Sequence, residues 1–331
     1  MNRIEISVQE MDEAARQLLE PIERASGYVH SSFERTINLK INGKLLAIHS
    51  RGPVGPMTCL VGQNDFQELC KRCRPGMEIA GSELPGCRRL VISDIQGQAL
   101  IWLTLDRIIV APPCRIPPFP GQYDAAARAV QVIESYLKRS GDSSIFAPPG
   151  PAGSDDILVR LLRRRARKMV RGIKSAFRAS SSALLGWQLQ TAVGFGPGLT
   201  PAGDDLCYGL LASEGSLSLI GRSKFTRFQI QDLTRRIASC ARANSTEFSA
   251  SFLEQLGEGY LFPVVKEVLE RAADSGELLK ESLERLSECG HSSGFDMLAG
   301  IHLSLSILKE GDHAFPGLIT IQAGGHNNAN S

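Results

Sequence analysis

At 331 residues the chain is long enough for two domains, and its 43% hydrophobic and 22% charged residues are those of a folded globular protein. A net charge of +2 excludes a molecule that binds polyanions over its whole surface, and no run approaches the ~20 apolar residues of a membrane helix. The N-terminus lacks the basic-then-apolar layout of a secretion signal, so a cytoplasmic location is expected.

In chain order, IEISVQEMDEAARQLLEPIE (4–23) reads as a polar strand followed by a short amphipathic helix. Residues 34–50 hold two alternating segments around Asn42-Gly43, a pair suited to a type I′ hairpin turn. Further strand-like segments follow at 57–62, 76–81, 88–94 and 99–105. The first 115 residues are therefore expected to form a β-rich domain, barrel- or sandwich-like. Five cysteines fall here, and Cys70 and Cys73 form a single C-x-x-C. A zinc site would want a second such pair, so reduced, packed thiols are expected.

A proline-rich stretch (111–120), a helix at 123–139 and the breaker APPGPAGSDD (147–156) make up a connector over 116–155. From 156 to 315 the pattern is helical. In 157–177 a stripe of 3.6-residue period runs through Leu158, Leu161, Leu162, Met169, Val170, Ile173 and Phe177. Nine Arg or Lys and no acid lie between 160 and 178, the solvated face of that helix. With the chain near neutral and poor in aromatics, nucleic acid is not the expected partner; steering of an anion or docking of an acidic partner fits better. Helical segments continue near 182–192, 204–220, 226–242, 245–258, 260–274, 277–289 and 294–309, and 316–331 reads as a tail. The fold class is α+β.

The chemistry concentrates in GFGPGLTPAGDD (194–205). Gly194, Gly196, Gly198 and Gly203 permit positive φ or close approach, Pro197 and Pro201 stiffen the loop, and Thr200 and Asp204 are good N-cap residues. A rigid loop feeding a helix N-terminus favours an anion, yet Asp204 and Asp205 would repel one unless a proton or cation intervened. Mg²⁺ held by Asp204, Asp205 and Asp296 is one solution; no other cofactor is expected.

Residues 202–209 (AGDDLCYG) are echoed at 293–300 (SGFDMLAG), each with Asp one turn before its second Gly. The echo predicts two similar helix N-termini facing each other across a pocket. Just before the second copy, His291 is a candidate proton carrier or anion donor, and Ser292, Ser293 and Gly294 are candidate ligand contacts, or simply a helix cap. No G-x-S-x-G elbow supports a serine nucleophile. In ANSTEFSASFL (243–253), Thr246 and Ser249 share a face and either cap a helix or bind substrate. His302, inside an apolar helix, reads as a satisfied core histidine.

Together GFGPGLTPAGDDLCYGLL, the T-x-x-S-x-x-x-L at 246–253 and GHSSGFDMLAG at 290–300 resemble the AllH-type subunit of oxamate carbamoyltransferase, over about residues 180–305. The β-rich half is similar to that family in layout. Members usually carry serine where this chain has Ala202, so no hydroxyl role is expected there. The resemblance implies a subunit of a multi-protein carbamoyltransferase of purine (allantoin) breakdown, partnered by an FdrA-like protein and other subunits. It would exchange a carbamoyl group between oxalurate and phosphate, giving oxamate and carbamoyl phosphate. Gly196, Gly198, Thr200 and Gly203 would bind the small anion, and Asp205, Asp296 and His291 would carry the chemistry. A non-catalytic ligand-binding subunit and a stand-alone metal-dependent hydrolase are the other readings.

Overall fold

The computed structural model describes residues 3–121, 123–139, 144–146, 157–274 and 276–311. The breaker at 147–156 and the tail from 316 lie outside them.

The N-terminal part is a closed eight-stranded barrel. Its strands are β1 (Ile4–Asp12), β2 (Ser26–Ser32), β3 (Ile37–Ile41), β4 (Lys44–His49), β5 (Thr58–Val61), β6 (Glu78–Leu84), β7 (Cys87–Ser93) and β8 (Ala99–Thr104). They run in the order β5-β4-β3-β2-β6-β7-β8-β1, and β1 pairs back onto β5. Closure depends on a register shift in β1 between Val8 and Glu10. Before it β1 runs parallel to β8 (Ile4 opposite Ile101), and its distal half runs antiparallel to β5 (Met11 opposite Cys59). A short β9 (Ile109–Ala111) lies beside the end of β1.

Inward residues such as Ile6, Val29, Leu39, Ile48, Ile92 and Leu103 fill the barrel. The β3–β4 hairpin turns at Asn42 and Gly43 with φ of 50° and 79°, the left-handed pair that a type I′ turn requires. Asp12 caps α1 (Glu13–Leu18) through the N–H groups of Ala14 and Ala15 and also accepts from Thr58 N–H, fixing the start of β5. Three strands or α-helices of this part escaped the sequence reading: β2, β9, and α2 (Gln63–Arg72), which packs Phe66 and Leu69 onto the barrel. All eight cysteines are free, with Cys59, Cys73 and Cys207 buried.

A second hydrophobic core gathers α3 (Tyr123–Arg139), α4 (Ile157–Arg178), α5 (Ser182–Ala192), α6 (Ala202–Ser218), α7 (Arg227–Asn244), α8 (Glu247–Gly257), α9 (Pro263–Glu270), α10 (Glu277–Ser287) and α11 (Ser293–Gly311). Its axis is α6, buried at every position from Ala202 to Leu217. Against it lies α11. A Cβ on Gly209 would stand 2.0 Å from the Met297 carbonyl oxygen, and one on Gly300 2.2 Å from that of Leu206. Leu206 and Met297, like Gly209 and Gly300, are equivalent positions of the sequence echo. The two helices thus meet through a reciprocal, two-fold-like contact in which each glycine admits the other backbone.

Candidate functional site

That close crossing brings the first turns of α6 and α11 together, and with them Asp205 and Asp296. They are 2% and 0% exposed. The hydroxyls of Thr200 and Ser293 hydrogen-bond the Asp205 carboxyl and lie 2.7 Å from each other. Ser144 Oγ donates to Asp296 Oδ1 at 2.5 Å, and the Ser292 hydroxyl also reaches that carboxyl. Oδ2 of each aspartate is buried without a partner.

Burial, and then the charge of Asp296, push the Asp205 pKa far above the usual carboxylate range. Burial raises Asp296 to about 7, against the pull of Ser144 and Ser292. Burial and the charge of Asp296 on Asp205 both disfavour ionising the two carboxyls together, which favours a protonated form of the pair. This removes the conflict posed by carboxylates at an anion-favouring helix N-terminus.

The loop before α6 is tied down on several sides. Gly194 N–H donates to Asp204 Oδ1 at 2.8 Å, and Ser245 Oγ donates to Asp204 Oδ2. Thr246 Oγ1 donates to the Leu199 carbonyl at 2.5 Å, and Gly203 N–H to that of Phe195 at 2.8 Å. Gly196 and Gly198 both have φ of 109°, which side-chain-bearing residues rarely adopt. Pro197, Gly198 and Leu199 form the exposed tip. Among the described residues, the N–H groups of Gly196, Gly198, Leu199 and Thr200 meet no protein acceptor.

Several expectations change. Neither Thr200 nor Asp204 caps α6; Pro201 holds that position without a side-chain cap bond. Asp204 turns back to hold the loop and the turn before α8, so it does not join Asp205 and Asp296 as a third ligand. Among the described residues no three His, Cys, Asp or Glu side chains gather into a cluster that could hold a metal ion. Thr246 is the N-cap of α8, accepting from Ser249 N–H, and its hydroxyl proton goes to the loop. Ser249 is buried behind it. Gly203 and Gly294 serve packing, since a Cβ on either would come within 2 Å of a carbonyl oxygen, that of Ala192 or Leu286. His291 sits exposed in the turn before α11, without a hydrogen bond or ion pair to a described residue. His302 is not satisfied: its Nε2 is buried without a partner, and burial lowers its pKa.

Ser144 and Ser245 escaped the sequence reading as site residues. Ser245 lay inside a stretch read as a helix cap, and Ser144 follows no recognisable pattern. A cleft of about 460 Å³ opens between the barrel and α7–α8, lined by Lys44, Arg242, Glu247, Glu254 and Tyr260 among others. It does not include the aspartate pair.

Barrel, helical core and paired helix N-termini define a two-part α+β protein in which a buried pair of carboxyl groups, Asp205 and Asp296, lies beside a glycine-proline loop. The family comparisons agree with that architecture. Residues 192–305 match the model described as oxamate carbamoyltransferase subunit AllH, and residues 5–105 match the AllH family N-terminal domain. The chain belongs to the AllH family. No solved structure matches it. No helix among the described residues is long and apolar enough to cross a membrane.

Proposed function

We propose that the Asp205–Asp296 pair and the 194–200 loop form the carbamoyl-handling site of this subunit, working in the cytoplasm beside FdrA-like and other subunits in purine breakdown. The observation that carries the reading is the buried Oδ2 of both aspartates, each lacking a donor. A carbamoyl or oxamate amide brings N–H donors of the right kind to such oxygens. The free N–H groups of the loop suit the anionic end of the same ligand, a phosphate or a carboxylate.

In the direction that consumes oxalurate, a phosphate oxygen attacks the carbamoyl carbon. Negative charge builds on the carbonyl oxygen, where backbone N–H donors lower its energy. The C–N bond to oxamate then breaks, and the departing nitrogen needs a proton. A carboxyl pair that keeps one proton near neutral pH can donate it and recover it from the medium. Thr200 and Ser293, half-buried and bonded to Asp205, form the layer between the pair and the loop.

The test is carbamoyl transfer by the assembled enzyme carrying Asp205→Asn or Asp296→Asn. Loss of 10²-fold or more, the usual scale for removing a general acid, is expected with assembly intact. Undiminished transfer by a correctly assembled variant would refute the assignment. Calorimetry of the isolated chain with oxamate and with carbamoyl phosphate separates a catalytic from a purely ligand-binding role. Binding that survives in a variant unable to support transfer marks the pair as chemical. A chain that binds equally well without either aspartate does not use them.

A further inference from the structure

Helix α4 meets the site loop through Arg165, which stacks over Phe195, and carries none of the carboxyl or hydroxyl groups of the site. Ala166, Met169, Ile173, Ala176 and Phe177 face the helical core, and the opposite side is bare. Ile157, Leu161, Arg164, Lys168, Arg171 and Ser175 recur every three or four residues, so they form one straight outer stripe about 27 Å long. All six are exposed; Ile157 is 67% and Leu161 57% accessible.

Of the nine cations on this helix, Lys174 and Arg178 pair with Glu310, Arg165 stacks over Phe195, and Arg163 is buried. Arg160, Arg164, Arg167, Lys168 and Arg171 meet no acid within ion-pair distance among the described residues. Repelling neighbours one turn apart weaken a helix. An apolar pair left in water at the head of the same stripe adds to the cost, so the stripe has the character of a surface waiting for a partner.

Because the chain is a subunit by family, we propose that this stripe docks an acidic, apolar-ended surface of a companion subunit in the carbamoyltransferase assembly. Two observations favour protein carboxylates over nucleic acid. Ile157 and Leu161 continue the cationic line and have nothing to pack against on a phosphate backbone. The chain's total charge is only +2, so its remainder is net negative and repels a long polyanion but not a local carboxylate cluster. Arginine forks match carboxylates in bidentate pairs, and arginine flanked by apolar side chains is common at the centre of interfaces.

The experiment measures association of the full chain with its co-expressed companion subunits, by mass in solution and by affinity between 50 and 500 mM salt. Arg164→Glu, Arg167→Glu and Arg171→Glu together should weaken association on the order of 100-fold. The corresponding lysine variants should keep most of it, and wild-type affinity should fall steeply with salt. Leu161→Ser should weaken association about tenfold without changing the salt slope. Should the triple reversal fail to fold, Arg164→Gln with Arg171→Gln gives the same readout at smaller amplitude. Full affinity in the charge-altered chains, or wild-type affinity indifferent to salt, overturns the proposal. So does tight binding of duplex DNA that disappears in the reversed chain while assembly is unaffected. Oxamate binding by the same variants is expected to be unchanged, which keeps a failure here distinct from a failure of the Asp205–Asp296 site.

Discussion

At the scale of single residues the aspartate pair has a direct consequence for stability. A carboxylic acid whose folded pKa lies above its unfolded value favours the folded state fully at low pH, and that contribution is lost as pH rises through the folded value. For Asp296 the window runs from about 4 to about 7, with burial the main cause. The native protein should therefore be less stable at pH 8 than at pH 5, by a few kcal/mol at most, and melt at a lower temperature. Asp296→Asn removes the ionisation while keeping an acceptor for Ser144, so calorimetry should show a flatter profile and a gain at pH 8; an unchanged slope would mean that Asp296 is not the group responsible. His291→Ala should cost transfer less than about tenfold, because the imidazole is exposed and makes no hydrogen bond or ion pair with a described residue. Kinetics of the assembled enzyme decide this; a loss matching that of Asp205→Asn would restore the proton-carrier role. Asp205 and Asp296 were legible in the sequence because each sits at a fixed place in a repeated phrase. Ser144 was not, because a donor is recruited by its position in space and its local sequence carries no trace of the acceptor it meets.

Among elements, the α6–α11 crossing was the most readable feature and the most demanding. The repeated Gly at 209 and 300 could be seen in the chain; that each one faces the other helix's backbone could not. An alanine at either position places a methyl group 2.0–2.2 Å from a carbonyl oxygen, so the helices must separate. Overpacking of that kind costs about 1–3 kcal/mol even after the gain in helix propensity. Gly215→Ala is the control, since its methyl group would meet only the side chain of Ile116, the movable Cδ1 at 3.2 Å and Cγ2 at 3.6 Å. Thermal melts should show Gly209→Ala and Gly300→Ala well below the native protein and Gly215→Ala near or above it. Equal melts for all three would mean that the crossing yields easily. The same reasoning explains what was missed. In β2 the side chain of Val29 alone is fully buried, so the strand shows no alternation to read, and α2 is short and rich in polar residues.

For the whole molecule, the change from two-residue to 3.6-residue periodicity announced a β-rich part followed by a helical one, but nothing in either part revealed where they touch. Glu247 at the start of α8 meets Lys40 Nζ of β3 at 2.6 Å and His30 Nε2 of β2 at 3.5 Å, while the next residue, Phe248, packs at right angles to the His30 ring. Immediately before it, Thr246 holds the Leu199 carbonyl of the site loop. One short turn therefore joins the barrel surface to the loop above the aspartate pair. The ion pair is partly solvated and worth about 1 kcal/mol or less, so Glu247→Gln should barely change the melting temperature. Thr246→Val removes both the helix cap and the tie to the loop, a loss of about 1–2 kcal/mol in stability. If the tie sets the loop, oxamate binding measured by calorimetry should weaken severalfold in Thr246→Val and by no more than twofold in Glu247→Gln. Equal binding by both variants would show that the loop holds its shape through Asp204 and Thr200 without help from α8, and that the barrel influences the site through packing alone.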